Sequence, residues 1–477
     1  RTSAIEMKQA ADLADLRALD SKGYVTNLLL DVMSMPKMFL ASVDLSAPGR
    51  QGIVSLSGSN SVANTKAVFR DMFGAVKGGK AEQALDKTLD AGEMYAYRAQ
   101  REIVDGDIQG LAGDALKLER LKAAAARGAG VDYTGIGSRI DPQGMKPGGR
   151  LRTSEDQFSG NVFGDRLLRR MYKETDKGAM AEAMKKLDTF GRFSERTYSL
   201  PLNRLRKEKF MQLTGLSDAK TVSEAQEILK ELGSKNLNEI ADLINMSTGR
   251  TKLPLGADRA PKISRMLNAI MFSPKFAWSR VRTLMRPLVG GARLAANAKG
   301  NHLDSVMAER IVMRELGTVA LKWASGVALL NAAFAEEGSD GVNLDPMSSD
   351  FGKIRIGNTR YDATGGLAPM LRLLYRPSQK LATGELRNYG EGLGREVERA
   401  LRGKASPAAS IGFQLAYGKD FKGDPIESLP GMALGAVMPI SLQDMQEFTE
   451  KYGVAEGVAR MAPSVFGIGA SDYKDRK

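Results

Sequence analysis

The chain has 477 residues, 43% hydrophobic and 26% charged, which is the composition of a folded protein too long for one ordinary core. It has no cysteine and one histidine, which excludes disulfide frameworks, thiolate metal sites and multi-histidine metal sites. The formal net charge of +13 favours acidic partners such as nucleic acid or anionic surfaces. No secretory signal opens the chain, and because it begins with Arg1 we expect a fragment or a processed product.

The N-terminal third is predicted to be helical, with two glycine-containing interruptions. Thr2 to Leu19 has amphipathic spacing, and Ala81 to Arg127 is an alanine-rich, densely charged helical region. Ser46 to Ser61 is rich in turn-forming residues. Gly128 to Gly164 holds nine glycines and two prolines, which predicts a linker or an extended surface loop.

Helical patterning resumes from Asp165 to Thr214. Thr221 and Glu224 have the spacing of a capping box, which predicts that a helix starts there. This helix is expected to end near Gly233, and Asn236 to Met246 is expected to form the next one.

The positive charge is concentrated between residues 251 and 300, which hold ten lysines or arginines and one acid, Asp258. The bases are interleaved with apolar and aromatic residues at helical spacing, which predicts basic amphipathic helices. Such helices bind phosphate backbones without sequence specificity, anionic lipid surfaces or acidic protein faces, and the pattern also fits a solvated face. The candidate contacts with DNA or an anionic surface are Lys262, Arg265, Lys275, Arg280, Arg282, Arg286, Arg293 and Lys299.

The most hydrophobic span, residues 316–335, lies between Glu315 and Glu336 and is interrupted by Lys322 and Asn331. Its length reaches the roughly 20 residues that a membrane-spanning helix needs. Two interpretations stay open. The span is either a buried helix of a bundle, or a helix that is soluble in one state and inserted in a membrane in another.

A hairpin is predicted within the turn-rich passage Asp345 to Gly366. Lys353 to Ile356 alternates basic and apolar residues, as a half-buried strand does, and the Gly357-Asn358 pair supplies a tight turn. We expect this hairpin to be the only regular β element and to act as a structural clamp or subunit contact. Its outward-facing residues are expected to be Arg355 and Arg360.

The predicted fold class is mainly α, a multi-domain helical bundle assembly with one small β-hairpin near 353–362. The C-terminal helices are expected at Leu367 to Leu381, Glu391 to Leu401, Pro407 to Tyr417, Ser441 to Lys451 and Val454 to Ala462. The predicted divisions are 1–127 (N-terminal helices), 128–164 (linker or loop), 165–250 (central helices), 251–340 (basic and apolar helices) and 341–477 (hairpin plus helices).

One passage nearly fits a nucleotide-binding motif. Gly74 to Ala81 has the glycine and lysine spacing of a phosphate-binding loop, but Ala81 stands where a hydroxyl residue would bind Mg²⁺. The preceding Thr65 to Phe73 is helical in pattern, whereas the motif follows a strand. We therefore expect a turn between helices there.

Other candidates for chemistry are few. Asp345, Asp350 and Asp362 could surround a hard cation, although acids in turns more often cap backbone amides. His302 is the one histidine, so most nucleophile–base pairs are excluded. We expect no catalytic residue, no metal, no cofactor and no enzymatic activity.

Several short passages occur in the same order as in one known family. They are Val43 to Gly52, Phe190 to Tyr198, Leu202 to Arg206, Ser247 to Arg250, Phe272 to Lys275, Asp345 to Gly366 and Gly418 to Pro425. In these passages the chain resembles the C-terminal associated domains of the large polyvalent polypeptides that tailed phages package and eject with their DNA. The best-understood relatives are internal virion DNA-ejection proteins of short-tailed phages.

The resemblance implies a structural virion protein that assembles into a ring or tube and delivers DNA into the host cell. Its implied partners are further copies of itself, the portal and other ejection proteins, DNA through non-specific phosphate contacts, and a membrane after ejection. Its implied location is the capsid interior and then the host envelope. The alternative is the carrier part of a larger injected enzyme polypeptide with a peptidoglycan-cleaving, polymerase or anti-restriction activity.

Overall fold

The computed structural model describes residues 47–77, 111–131, 201–254, 263, 266–267, 270–299, 305–334, 341–383, 404–418 and 440–472. Within them the protein is mainly helical with one small antiparallel sheet, as the sequence predicts. The helices are α1 (Ala47–Ser57), α2 (Ser61–Lys77), α3 (Gly113–Gly128), α4 (201–214), α5 (Val222–Ser247), α6 (Pro274–Ala298), α7 (Val306–Ala333), α8 (Leu367–Ala382), α9 (Pro407–Tyr417), α10 (Ile440–Tyr452) and α11 (Val454–Val465). The strands are β1 (Gly341–Val342), β2 (Ile354–Ile356), β3 (Thr359–Asp362) and β4 (Gly469–Asp472).

Helix α1 occupies the passage for which the sequence predicted turns. Pro48 lies in its first turn, where a missing amide proton costs no intrahelical hydrogen bond. Gly49 is needed for close packing, because a Cβ there would lie 2.1 Å from the carbonyl oxygen of Phe466. The glycines of this passage therefore reflect tertiary contacts, which offset their low helix propensity.

The capping box and the break at Gly233 are both confirmed in α5. The Thr221 hydroxyl accepts a hydrogen bond from the Glu224 amide at 3.2 Å, and the Glu224 carboxylate accepts one from the Lys220 amide at 2.7 Å. Gly233 has a φ of 66°, so the chain turns there and then continues as a helix to Ser247.

Helix α5 lies at the centre of the core, with α1, α3, α6 and α7 packed against it. One hydrophobic cluster includes Val54, Ala129, Phe210, Val312 and Leu367, one from each of the five divisions predicted from the sequence. The described parts of all five divisions therefore share one core, whereas the division boundaries stay a prediction.

The predicted hairpin is confirmed, with β2 and β3 antiparallel and Ile356 opposite Thr359. The expectation that it is the only regular β element is wrong, because β1 pairs with β2 and β4 pairs with β3. Strand β4 reads Gly-Ala-Ser-Asp, without an alternating apolar pattern, so only its pairing with β3 identifies it.

The expected outward orientation of Arg360 is also wrong. Its side chain is buried; Nε donates to Asp350 Oδ2 at 3.1 Å and Nη1 donates to the Gly357 carbonyl at 2.7 Å. Arg355 is half-buried, and its Nε donates to the same carbonyl at 3.3 Å. Both arginines thus bind the hairpin turn of their own chain, which supports the clamp role; a subunit contact stays a prediction.

Candidate functional site

The most tightly connected polar site is built around Arg280, in the second turn of α6 and 0% exposed. Its Nε donates to the Gly365 carbonyl at 2.7 Å, and its Nη1 donates to the Ser247 carbonyl at 3.2 Å. Its Nη2 donates to the carbonyls of Arg50 at 2.9 Å and Gln51 at 3.0 Å. One side chain therefore joins α1, the end of α5, α6 and the loop before α8.

A second buried arginine lies beside it. Arg206 of α4 donates from Nε to the Thr248 hydroxyl at 2.8 Å and from Nη2 to the Thr248 carbonyl at 3.2 Å. Its Nη1 donates to Asn203 Oδ1 at 2.8 Å. The carbonyls of Ser247 and Thr248, at the C-terminal end of α5, have no intrahelical partners and are thus satisfied by arginines from two other helices.

Glycines bring these segments into contact. A Cβ on Gly249 would lie 3.0 Å from Phe276 Cδ2, and one on Gly365 would lie 2.3 Å from Ile53 Cγ2. Gly365 and Gly366 have φ values of 56° and 86°, which other residues rarely adopt. Both the backbone conformation and the short spacing therefore require glycine here.

We call this set the Arg280 junction. It consists of Arg50, Gln51, Asn203, Arg206, Ser247, Thr248, Gly249, Phe276, Arg280, Gly365 and Gly366. Four of the family-resembling passages supply nine of these residues. Phe276 directly follows a fifth passage, Phe272 to Lys275, and Arg280 lies outside the passages. Passages spread over more than 300 residues of sequence meet at one place.

The positive charge at the centre of the junction is buried and is hydrogen-bonded to the protein's own main chain. Burial lowers the pKa of Arg280 to about 9, so its guanidinium stays protonated at neutral pH. A guanidinium has five N–H donors, and this one makes four hydrogen bonds to backbone carbonyls. The charge is thus solvated by the main chain, and a buried group so engaged is poorly placed to bind a substrate.

A buried ion-pair network connects α5, α6 and α7. Glu309 is 0% exposed and accepts from Arg286 Nη1 at 2.7 Å and from Arg293 Nη1 at 2.7 Å. Glu239 of α5 accepts from the same two arginines at 3.0 and 3.2 Å. Burial opposes ionisation of Glu309, but the hydrogen bonds and charges of both arginines outweigh it and lower its pKa.

A second buried ion pair joins α4 to α7. Lys209 Nζ donates to Glu315 Oε1 at 2.5 Å and to the Ser59 carbonyl at 2.8 Å. Burial lowers the pKa of Lys209 despite the opposing charge of Glu315. For Glu315, burial opposes ionisation, but the lysine and Ser59 outweigh it and lower its pKa. The pair borders a cavity of about 10 Å³, roughly the room of one water molecule.

The predicted DNA-contact residues lie in several different environments. Arg280 and Arg286 are buried and bind the protein's own acceptors, which corrects the expectation that they face an external phosphate. Arg282 is partly buried and pairs with Asp242 at 2.6 Å.

Two further candidates, Lys262 and Arg265, lie outside the described residues. Lys275 is half-buried, while Arg293 and Lys299 are exposed, Arg293 within the ion-pair network. The partner acids of the arginines lie 16 to 54 residues away, a separation at which sequence spacing gives no signal.

Two of the three aspartates expected to cap turns do so, and the third, Asp350, forms ion pairs. Asp345 accepts from the Met347 amide at 2.9 Å, Asp362 accepts from a following amide at 2.8 Å, and Asp350 pairs with Arg360. Within the described ranges, no group of three or more His, Cys, Asp or Glu side chains could hold a metal ion.

The remaining chemical candidates fall partly outside the described residues. Helix α2 includes the predicted helical run Thr65 to Phe73 and continues through Gly74 to Lys77, so the first half of the passage expected to be a turn is helical. The rest of that motif, from Gly78 to Ala81, is not described, and neither is His302.

Helix α7 contains most of the apolar span, for which one of the two interpretations is a buried helix of a bundle. The core-facing side of its N-terminal half is buried up to Val319, whereas its apolar half is largely exposed, with Leu321 at 67% and Leu329 at 72%. Among the described helices it alone is long and apolar enough to span a membrane, with a mean hydropathy of 1.2 over its best window and 11% of that window buried. Within the described part of the predicted span, 316–334, only Leu316 and Val319 are buried, so the buried-helix interpretation does not describe most of the span.

Comparison with known proteins adds no family to these observations. The chain matches no protein-family model, no curated protein and no solved structure.

Proposed function

We propose that the protein is a structural component of a phage particle, an internal virion protein that is ejected with the DNA. The observation that carries the proposal is the Arg280 junction. Passages that resemble one family, and that lie far apart in sequence, pack around one buried guanidinium. This convergence supports the interpretation that the resemblance concerns a shared fold.

The use of charge in the described core also favours a structural role. Buried ionisable groups are paired across helices, as in the contacts of Glu309 with Arg286 and of Glu315 with Lys209. An active site typically holds perturbed groups in an open cleft. The described cavity beside Lys209 is instead about one water molecule in size.

The proposed assembly is a ring or tube of identical subunits that also contacts the portal and other ejection proteins. Exposed apolar side chains supply surface for such contacts. They include Leu288 at 67% exposure and Val454 at 74%. Exposed apolar side chains typically mark interaction sites where they form a large contiguous patch.

Non-specific contact with DNA belongs to the same proposal and now rests on fewer residues. Lys275 and Lys299 lie at the two ends of α6, where Lys275 is half-buried and Lys299 is exposed. Replacing both by Gln should reduce the salt dependence of DNA binding by about one unit of log–log slope per lost phosphate contact. An unchanged slope would remove this helix from the DNA contact.

Mass spectrometry of purified phage particles tests the proposed function. We expect the protein in the particle at several copies, and electron microscopy of the particle to place it inside the capsid. Its absence from particles would overturn the proposal. A peptidoglycan-cleaving or polymerase unit in the same polypeptide would instead favour the alternative, a carrier part of an injected enzyme.

A further inference from the structure

One face of α7 is exposed along almost its whole length. At 100° per residue, nine exposed residues fall within one third of the helix circumference. We call them the α7 stripe: Met307, Arg310, Arg314, Gly317, Leu321, Ala324, Ser325, Ala328 and Ala332. Leu329, 72% exposed, borders the stripe.

The stripe is divided along the helix by chemistry. Its first half carries Arg310 and Arg314, and from Gly317 onward it is apolar or small, with one serine. The two acids of the helix, Glu309 and Glu315, are buried in ion pairs on other faces. The exposed charges of α7, including Lys322 beside the stripe, are therefore all positive.

Side chains outside the stripe fix the helix to the fold. Lys322 donates to the Gly58 carbonyl at 2.7 Å, Trp323 donates to the Ser57 hydroxyl at 3.1 Å, and Asn331 accepts from the Val342 amide at 2.6 Å. These contacts hold the apolar half against α1 and β1 with the stripe outward. Its exposure is thus part of the folded state and needs no unfolding.

The combination of exposed arginines and exposed apolar residues on one helix face favours some classes of partner over others. DNA offers phosphates to the arginines but no apolar surface to Leu321 and the alanines that follow it. An anionic bilayer offers both, because its headgroups attract arginine and its acyl boundary accepts the apolar face of a helix lying in the interface plane. The apolar section from Gly317 to Ala332 is about 24 Å long at 1.5 Å per residue, enough for such a contact.

We propose that the α7 stripe docks the protein onto an anionic lipid bilayer, with Arg310 and Arg314 at the headgroups and the apolar half in the acyl boundary. The inference rests on the proposed function, since ejection would bring the protein to a host membrane. The helix lies flat on the surface and remains packed against α1 and β1.

Flotation of the full chain with phosphatidylcholine vesicles, with and without phosphatidylglycerol, tests the proposal. The wild type should float with the anionic vesicles and much less with the neutral ones. Leu321→Glu and, independently, Ala328→Glu should each lower the partition coefficient at least about tenfold, because a charge replaces an apolar contact. Val458→Glu is the matched control, because Val458 is 49% exposed on α11, a helix that packs against α10 and β4.

The arginines have their own control. Arg310→Gln should weaken binding to anionic vesicles about fivefold, and so should Arg314→Gln. Lys220→Gln and Lys230→Gln, exposed positions before and within α5, should leave it unchanged. Equal circular dichroism and thermal unfolding of all variants would exclude misfolding as the cause.

Three results would overturn the proposal. They are no flotation of the wild type, flotation of both stripe variants at the wild-type level, or equal loss in the Val458→Glu control. A change of oligomeric state in Leu321→Glu without vesicles, at unchanged flotation, would assign the stripe to a second copy of the chain instead. None of these results bears on particle composition, so the proposed function fails or stands separately.

Discussion

Arg286 and Glu309 form a two-point ion pair in the interior, with Nη1 2.7 Å from Oε2 and Nη2 3.0 Å from Oε1. This pairing of α6 with α7 fixes the two helices side by side. It also explains why Arg286, although it lies in the most basic stretch of the sequence, is buried.

Replacing Glu309 by Ala should destabilise the protein by about 3 kcal/mol or more, because it removes the buried carboxylate that accepts hydrogen bonds from Arg286 and Arg293. Urea unfolding measures the loss. Glu456→Ala, which removes an exposed partner of Arg460 four residues away, should cost below about 1 kcal/mol. Equal losses would show that the buried network contributes no more than a surface pair.

Arg280→Lys should be nearly as harmful as Arg280→Met, although it keeps the charge. A lysine ammonium lacks the planar fork that reaches carbonyls of three segments at once. Each buried carbonyl left without a donor costs about 1–3 kcal/mol, so both variants should lose several kcal/mol in urea unfolding. Lys299→Met, at the exposed end of α6, is the control; a well-tolerated Arg280→Lys would contradict the junction's role.

Gly49→Ala should destabilise the contact between α1 and the C-terminal segment. The added Cβ would lie 2.1 Å from the Phe466 carbonyl oxygen and 2.6 Å from its carbon, which are backbone atoms that cannot rotate away. Gly291→Ala, in α6 with nothing within 4 Å of the new Cβ, should instead stabilise the protein. The expected gain is about 0.5–1 kcal/mol from helix propensity. Thermal unfolding of the two variants should therefore shift in opposite directions.

The acid sensitivity of the protein should depend on Glu315. Its pKa lies below the ordinary 4.5 in the folded state, so its stabilising contribution is present above pH 4.5 and is lost as the pH falls through the folded value. Glu315→Gln should lower stability at neutral pH and flatten the decline below pH 4.5 by up to about 1.4 kcal/mol per pH unit.

Glu227→Gln, an exposed position on α5, should leave the pH profile unchanged. Urea midpoints measured from neutral to acid pH decide between the two outcomes. A Glu315→Gln profile parallel to that of the wild type would show that this carboxyl does not carry the acid response.

Local sequence determined the element types, because helix periodicity, caps and tight turns act within a few residues. The capping box at Thr221, the break at Gly233 and the Gly357-Asn358 turn all occur where the sequence predicted them. The mainly helical class followed for the same reason.

Tertiary structure alone decided the rest. The glycines of α1 indicated turns from the sequence, but the segment is helical, and Gly49 packs against the backbone of Phe466. Strand β4 is identified by its antiparallel pairing with β3. The direction of the Arg280 side chain is set by carbonyls 33 to 230 residues away in the sequence. Hydrogen-bond partners and burial depend on residues far away in the sequence. A run of basic residues therefore shows where positive charge is concentrated, but it does not distinguish a face that binds phosphate from arginines that are buried and hydrogen-bonded inside the protein.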